Sequence, residues 1–205
     1  VSGDGPMFLW NLWWMREALV VLHQSPFHCD LILAPVGADL YLHTLTPARG
    51  VAAMLLHPFV GLVAAHNLLY LATFVIAGLG VYLLARETGL ARLPAWLAGL
   101  VYGFSAYHVA RGYGHFNLTE IEWLPFFVLF ALRAIGRGSR RDGALAGVFL
   151  LLVGYSDYYY LVYALVFLAL HVLFRAAPSV TVLRELFRAT TRGERWLRGI
   201  LVADL

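Results

Sequence analysis

The chain has no lysine, a single cysteine and few charges of any kind. Only 13% of its 205 residues are charged, against 61% that are hydrophobic. A soluble domain carries about 25% charged residues, so the composition excludes an ordinary water-soluble fold and reads as an integral membrane protein. Cys29 stands alone, which excludes an intrachain disulfide and leaves the redox compartment unreadable. The sequence pI is near 9.2, but the arginines sit in short segments between apolar blocks and not on a soluble binding face. That distribution gives no reason to expect nucleic acid. No P-loop, dinucleotide fingerprint, nucleophile elbow or HExxH is present. Fixed-period repeats and low-complexity tracts are also missing.

Charge is absent in blocks. Residues 50–85 and 93–110 carry none, and 143–174 carry only Asp157. About 20 apolar residues suffice to cross a ~30 Å hydrocarbon layer. Between the blocks lie Arg86 and Arg92, then Arg133, Arg137, Arg140 and Arg141, then the arginines from Arg175 to Arg198. Short basic loops stay cytoplasmic, so an even number of crossings must separate each such segment from the next.

The block 50–85 would be about 54 Å long as one helix, too long for a single crossing. Pro58 and Gly61 break it into a short re-entrant or interfacial helix and a span over 64–85. Further spans are expected over 93–110 and 118–135, with two more in 143–174 that turn near 155–160. The fold class predicted is all-α: a polytopic transmembrane helical bundle of five crossings, with a long extracytoplasmic first loop that contains interfacial helices. Residues 1–50, 111–122 and 155–160 then share the outer face.

Within the first loop, residues 7–22 read as an interfacial or partly buried helix with Trp10, Trp13 and Trp14 at headgroup depth. Residues 23–45 read as loop. Thr46 is then expected to cap a helix that has Pro47 at its first position. Three regions follow: an outer loop (1–50), a transmembrane part (51–174), and a cytoplasmic basic segment opening a further span (175–205). Val1 is not an initiator methionine, and 196–205 turn apolar again, so a piece of a larger protein is expected, lacking a span before it and more after it.

The polar residues gathered on the outer face carry the candidate chemistry. Asp4, in Gly3-Asp4-Gly5-Pro6, reads either as a turn acid or as a general base whose basicity rises on partial desolvation. In Arg111-Gly112-Tyr113-Gly114-His115-Phe116-Asn117-Leu118-Thr119-Glu120-Ile121-Glu122, residues Asn117 and Glu120 are spaced to share a helix face, and Glu122 points elsewhere. Such acids are either solvated at a helix N-terminus or face a polar cavity. Arg111 and His115 are a cationic pair suited to phosphate, with Arg16 and Arg49 the other cations on that side. Asp157, followed by Tyr158, Tyr159 and Tyr160, offers an acceptor for sugar hydroxyls beside flat apolar rings. Its alternative is a capping acid in an aromatic belt. His23, His28, Cys29, Asp30 and His43 match no tight zinc spacing and read as ordinary polar contacts. Gly78 and Gly80 read as helix packing.

These motifs resemble a known family. Gly3-Asp4-Gly5-Pro6 with Phe8-Leu9-Trp10-Asn11-Leu12-Trp13-Trp14 is similar to the first outer loop of bacterial membrane glycosyltransferases of the class C architecture. So are Ser25-Pro26-Phe27, Pro35-Val36-Gly37, His43-Thr44-Leu45-Thr46-Pro47, Gly114-His115-Phe116-Asn117-Leu118 and the Tyr158-Tyr159-Tyr160 run, over roughly residues 1–175. The resemblance implies an inverting transferase in the bacterial inner membrane with its active face outside. It would move a sugar from a polyprenyl-phosphate donor to a lipid, glycan or protein acceptor, with Asp4 as catalytic base. Arg111 and His115 would then meet the leaving phosphate. Asn117, Glu120, Asp157, Tyr158 and Tyr159 would bind substrate. No metal ligand is assigned, no cofactor is certain, and a divalent metal is left open. A transporter or flippase for a lipid-linked or small polar substrate, or a non-catalytic membrane subunit, is the alternative. A transporter would place its polar groups nearer the bilayer midplane.

Overall fold

The computed structural model describes residues 3–177, and the part of the expected basic segment over 178–205 lies outside them. The described chain is mostly helical. Helix α1 (Gly5–Arg16) runs into a π-helical turn (Glu17–Val21). A loop follows, holding the two-residue antiparallel strands β1 (His28–Cys29) and β2 (Ala38–Asp39). Then come α2 (Pro47–Val60), α3 (Leu62–Glu87), α4 (Arg92–Gly103), α5 (Ala106–Arg111), a 3-10 turn (Phe116–Thr119), α6 (Trp123–Arg137), α7 (Arg140–Ser156) and α8 (Tyr158–Ala176). The chain divides after Ala164 into two units. In the second, Phe167 stacks on His171, and all packing discussed below belongs to the first.

Two helices, α3 with 26 residues and α8 with 19, are long and apolar enough to cross a membrane. Both expose what a soluble helix would bury. On α3, Leu71 is 61% exposed and Val75 68%; on α8, Leu170 is 61% exposed and Leu173 65%. Contiguous apolar surface of this kind marks an interaction face or a lipid face.

The break expected near Pro58 and Gly61 falls at Gly61. Its φ of 77° is a left-handed value that glycine takes at little cost, and it ends α2 and starts α3. Pro58 lies inside α2. The turn expected near 155–160 is found at Asp157, between α7 and α8. Elsewhere the sequence reading needs correction. The expected span 93–110 is two helices, interrupted because the Ser105 hydroxyl accepts from the His108 N–H at 3.3 Å and caps a new start. The expected span 118–135 begins only at Trp123, since 116–119 form a 3-10 turn.

Thr46 does not cap with its side chain. Its φ is 49°, and its buried hydroxyl has no partner. Pro47 does open α2. Trp14 is not at an interface: it is fully buried with Met15, Ala18, Cys29, Leu40 and Leu45. Its indole N–H donates to the Pro26 carbonyl at 2.9 Å, which lets a polar-edged ring enter an apolar cluster.

Helix α6 packs along α7, α3 along α4 and α6, and α1 against α2. Glu87 at the end of α3 accepts from Arg133 Nε at 2.8 Å and Nη2 at 2.6 Å, and also pairs with Arg137. Two arginine-bearing segments therefore meet at one end of the helices. Where α3 crosses α4, a Cβ on Gly99 would lie 2.5 Å from the Gly78 carbonyl oxygen, so the close approach depends on glycine. Gly99→Val is expected to destabilise the protein by about 1–3 kcal/mol through this overpacking. A melting curve of the purified protein in detergent checks it, and an unchanged midpoint would show that the helices can separate freely.

Candidate functional site

Two polar constellations form on the side of the loops. The outer one is built where the start of α1 meets the segment after α5. A Cβ on Gly3 would come 3.0 Å from the Gly114 Cα and 3.3 Å from the Tyr113 carbonyl, so the Asp4 turn and the 111–115 loop touch. Asp4 is exposed, and its carboxylate caps nothing; α1 starts instead through the Asp4 carbonyl, which accepts from the Phe8 N–H at 3.1 Å. Arg111 is half-buried, its guanidinium 5.0 Å from the centre of the Tyr107 ring, and His115 is exposed. Beside this contact lies a cavity of about 410 Å³ bounded by Gly5, His66, Asn67, Gly112, Tyr113 and Phe116. His66 is 6% exposed, and its Nδ1 has no partner.

The inner constellation is buried. Arg49 sits in the first turn of α2, where the helix dipole disfavours a cation, and a partner compensates. Its Nη1 lies 3.5 Å from Glu120 Oε1 and donates to the Phe116 carbonyl at 3.4 Å. Asn117 donates from Nδ2 to Asp157 Oδ2 at 2.6 Å, while Asp157 Oδ1 accepts from the Tyr159 N–H at 2.8 Å. Asp157 is thus both the cap of α8 and the anchor of the 3-10 turn. Asn117, Glu120 and Asp157 do come together, but Asn117 and Glu120 do not do so as neighbours on a helix. The 3-10 turn aims Asn117 at α8 and leaves Glu120 to face Arg49.

Glu122 does not point away. It is 6% exposed, bears on Glu120, and keeps an unpartnered Oε2. Burial pushes the carboxyls of both Glu120 and Glu122 above the ordinary range, and the Arg49 charge pulls Glu120 part of the way back. Ser156 also lies near Glu120.

The remaining expected residues sit at the periphery. Tyr158 is half exposed and donates its hydroxyl to the Tyr41 carbonyl at 3.0 Å, tying the turn to the first loop. Tyr159 contributes its backbone N–H, and its ring is 64% exposed. Tyr160 donates to the Leu118 carbonyl at 2.7 Å. Of the cations on this side, Arg49 and not Arg111 or His115 joins the acids. The clue in the sequence was a lone arginine just after Thr-Pro at a helix start.

The histidines of the first loop are dispersed. His43 donates to Asn11 Oδ1 at 2.8 Å, Asn11 donates to the Thr44 carbonyl at 2.7 Å, and burial lowers the His43 pKa. His28 bridges Asp39 at 2.8 Å and Asp30 at 3.0 Å. Among the described residues no group of three or more His, Cys, Asp or Glu side chains could hold a metal ion.

The His28 bridge carries a pH prediction. Hydrogen bonds to Asp39 and then Asp30 raise the His28 pKa above 6.5. A raised value means that the bridge stabilises fully below 6.5 and is lost as pH rises through the folded value. Protection factors of the 28–39 amides, with the intrinsic base-catalysed rise in exchange divided out, are expected to fall across that rise in the wild type. A flat profile, or the same profile in His28→Gln, would contradict the assignment.

No family model, curated protein or solved structure matches this chain.

Proposed function

We propose that the protein is a membrane-embedded glycosyltransferase that uses a polyprenyl-phosphate sugar on the extracytoplasmic side. The observation that carries this reading is the contact of the Asp4 turn with the Arg111–His115 loop beside a polar-edged cavity. A base for an acceptor hydroxyl, and an arginine and a histidine for a leaving phosphate, stand on adjoining loops. In the transfer, the acceptor oxygen attacks the anomeric carbon and its proton passes to Asp4. The bond from that carbon to the phosphate oxygen breaks, and the lipid phosphate departs with the electron pair. Arg111 and His115 stabilise the charge that develops on it. His66, Asn67 and Tyr113 supply hydrogen-bonding edges to the sugar and the acceptor. The buried Asn117–Asp157 and Arg49–Glu120 contacts hold the loop in place from beneath.

The membrane placement is supported by the apolar exposed faces of α3 and α8 and by the arginines gathered at the opposite end. Under this reading the α4–α5 pair, α6 and α7 complete a polytopic bundle in the bacterial inner membrane. The direct check is label transfer from a panel of polyprenyl-phosphate sugars, using membranes that contain the full-length protein. Transfer from any one donor above empty membranes is the expected result. Well-inserted protein that transfers from none would overturn the proposal.

A further inference from the structure

The first loop presents apolar side chains at its surface. Leu31, Leu33 and Val36 stand exposed between β1 and β2, and Tyr41 and Leu42 stand exposed just after β2, with Val36 at 83% and Leu42 at 95%. No charged residue lies between Asp30 and Asp39. Only Ile32 turns inward, where it packs on the cluster around Trp14.

A slack loop could fold such side chains back, but this one is braced. The Leu40 N–H donates to the Phe27 carbonyl at 2.8 Å, and the Val36 N–H donates to the Leu33 carbonyl at 3.1 Å. Gly37 has a φ of 80°, and a Cβ there would lie 2.8 Å from His28 Nε2. The loop is thus closed tightly over the imidazole that bridges Asp30 and Asp39. An apolar tip stands above a polar base, and an exposed apolar patch of this kind marks an interaction surface.

Two contacts set its depth. Tyr158 begins α8, which is long and apolar enough to cross a membrane, and its hydroxyl donates to the Tyr41 carbonyl at 3.0 Å. The Tyr41 ring stacks on Phe27, with centroids 5.4 Å apart. The base of the loop is therefore tied to the end of α8 from which the exposed Tyr159, Val162 and Tyr163 lead on. Tyrosines at such a level suit the boundary between head groups and acyl chains. Charge narrows the partner further. No arginine or lysine lies between Arg16 and Arg49, so the surface has no basic side chain with which to select an acidic protein or an anionic head group.

We propose that the 31–36 tip, with Tyr41 and Leu42, is a finger that inserts into the acyl region of the leaflet on the loop side. Its polar base, His28 with Asp30 and Asp39, stays among the head groups, as in other interfacial segments. The finger depends on the membrane crossing of α8 and not on sugar transfer.

Spin labelling of the full-length protein in phosphatidylcholine nanodiscs tests it. Val36→Cys, Leu42→Cys and Val162→Cys each carry one nitroxide. All three side chains are exposed, so the label displaces no packing, and the buried Cys29 takes none. Collision with oxygen reports lipid, and collision with a water-soluble nickel chelate reports water. At 36 and 42 the balance of the two is expected to place the label about 5–10 Å below the head groups, the depth of interfacial apolar side chains. Val162 serves as the lipid reference. Nickel collision at 36 or 42 equal to that of a free nitroxide in buffer, while Val162 reads lipid, overturns the finger and leaves the membrane crossing standing. Low collision with both reagents overturns it too, because protein and not lipid would then cover the tip. Val162 open to nickel would remove the crossing of α8, and the finger with it.

Discussion

Asp4→Asn in the full-length protein is expected to remove sugar transfer by about 10²–10⁴-fold, the range that a positioned general base contributes, with the protein still inserted and folded. The separation of the two effects follows from where Asp4 stands. Its side chain is exposed and caps no N–H, and α1 is started by the Asp4 carbonyl. The only structural loss is one negative charge near a helix N-terminus, about 0.3–1 kcal/mol at an exposed site. Asparagine keeps the size and turn preference of the residue but cannot take a proton from an acceptor hydroxyl. Transfer and melting should therefore diverge in this variant. Transfer retained within a few-fold of wild type would take Asp4 out of the mechanism. A variant that loses both transfer and its melting transition would show that Asp4 is a structural residue.

The parts of the fold that were legible in the sequence are those set by local rules. Gly61 ends a helix because its backbone takes a left-handed value, and a glycine inside a long apolar run signals that. Pro47 begins α2 for a similarly local reason, a φ preset for the first turn. The turn at Asp157 was forced by the parity of arginine segments, and the acid is found capping α8 through the Tyr159 N–H. Reading failed where a local signal competed with the apolar pattern. Ser105 restarts a helix inside a stretch with no charge at all, and hydropathy does not register a hydroxyl cap.

Trp14 shows a different limit. Tryptophan suits both a membrane interface and a core in which its N–H is satisfied, and the Pro26 carbonyl that decides between them is remote in sequence. The site divides the same way. Asn117, Glu120 and Asp157 group by residue type and by the expected side of the membrane, and the structure brings these three together. The pairing of Arg49 with Glu120 could not be read that way, because no periodicity links α2 to the segment before α6. Asn117 and Asp157 lie 40 residues apart, and their contact likewise depends on tertiary packing.

At pH 9, where Glu120 is ionised, Arg49→Met is expected to cost about 3–5 kcal/mol, the penalty for removing one member of a buried ion pair and leaving the other behind. Methionine approximates the stem of arginine, so the aliphatic packing in α2 is largely kept and the loss reports the charge. Glu120 would then be buried at 2% exposure with Glu122 and Asp157 nearby and no cation. Its carboxyl, already pushed up by burial and held partly down by Arg49, would rise further and take up a proton. The sign for pH follows: a carboxyl whose folded pKa is raised above its unfolded value loses stability as pH climbs from the unfolded value through the folded one, and keeps it below. With Arg49 present the Glu120 carboxyl already sits at about 8, so the charge part of the Arg49→Met defect should be large at pH 9 and vanish towards pH 5. Adding Glu120→Gln removes the stranded charge and should recover a substantial part of the loss at pH 9, a coupling that a double-mutant cycle measures directly. A defect equal at both pH values and untouched by the second substitution would mean that Arg49 acts through packing alone and that Glu120 is not its electrostatic partner.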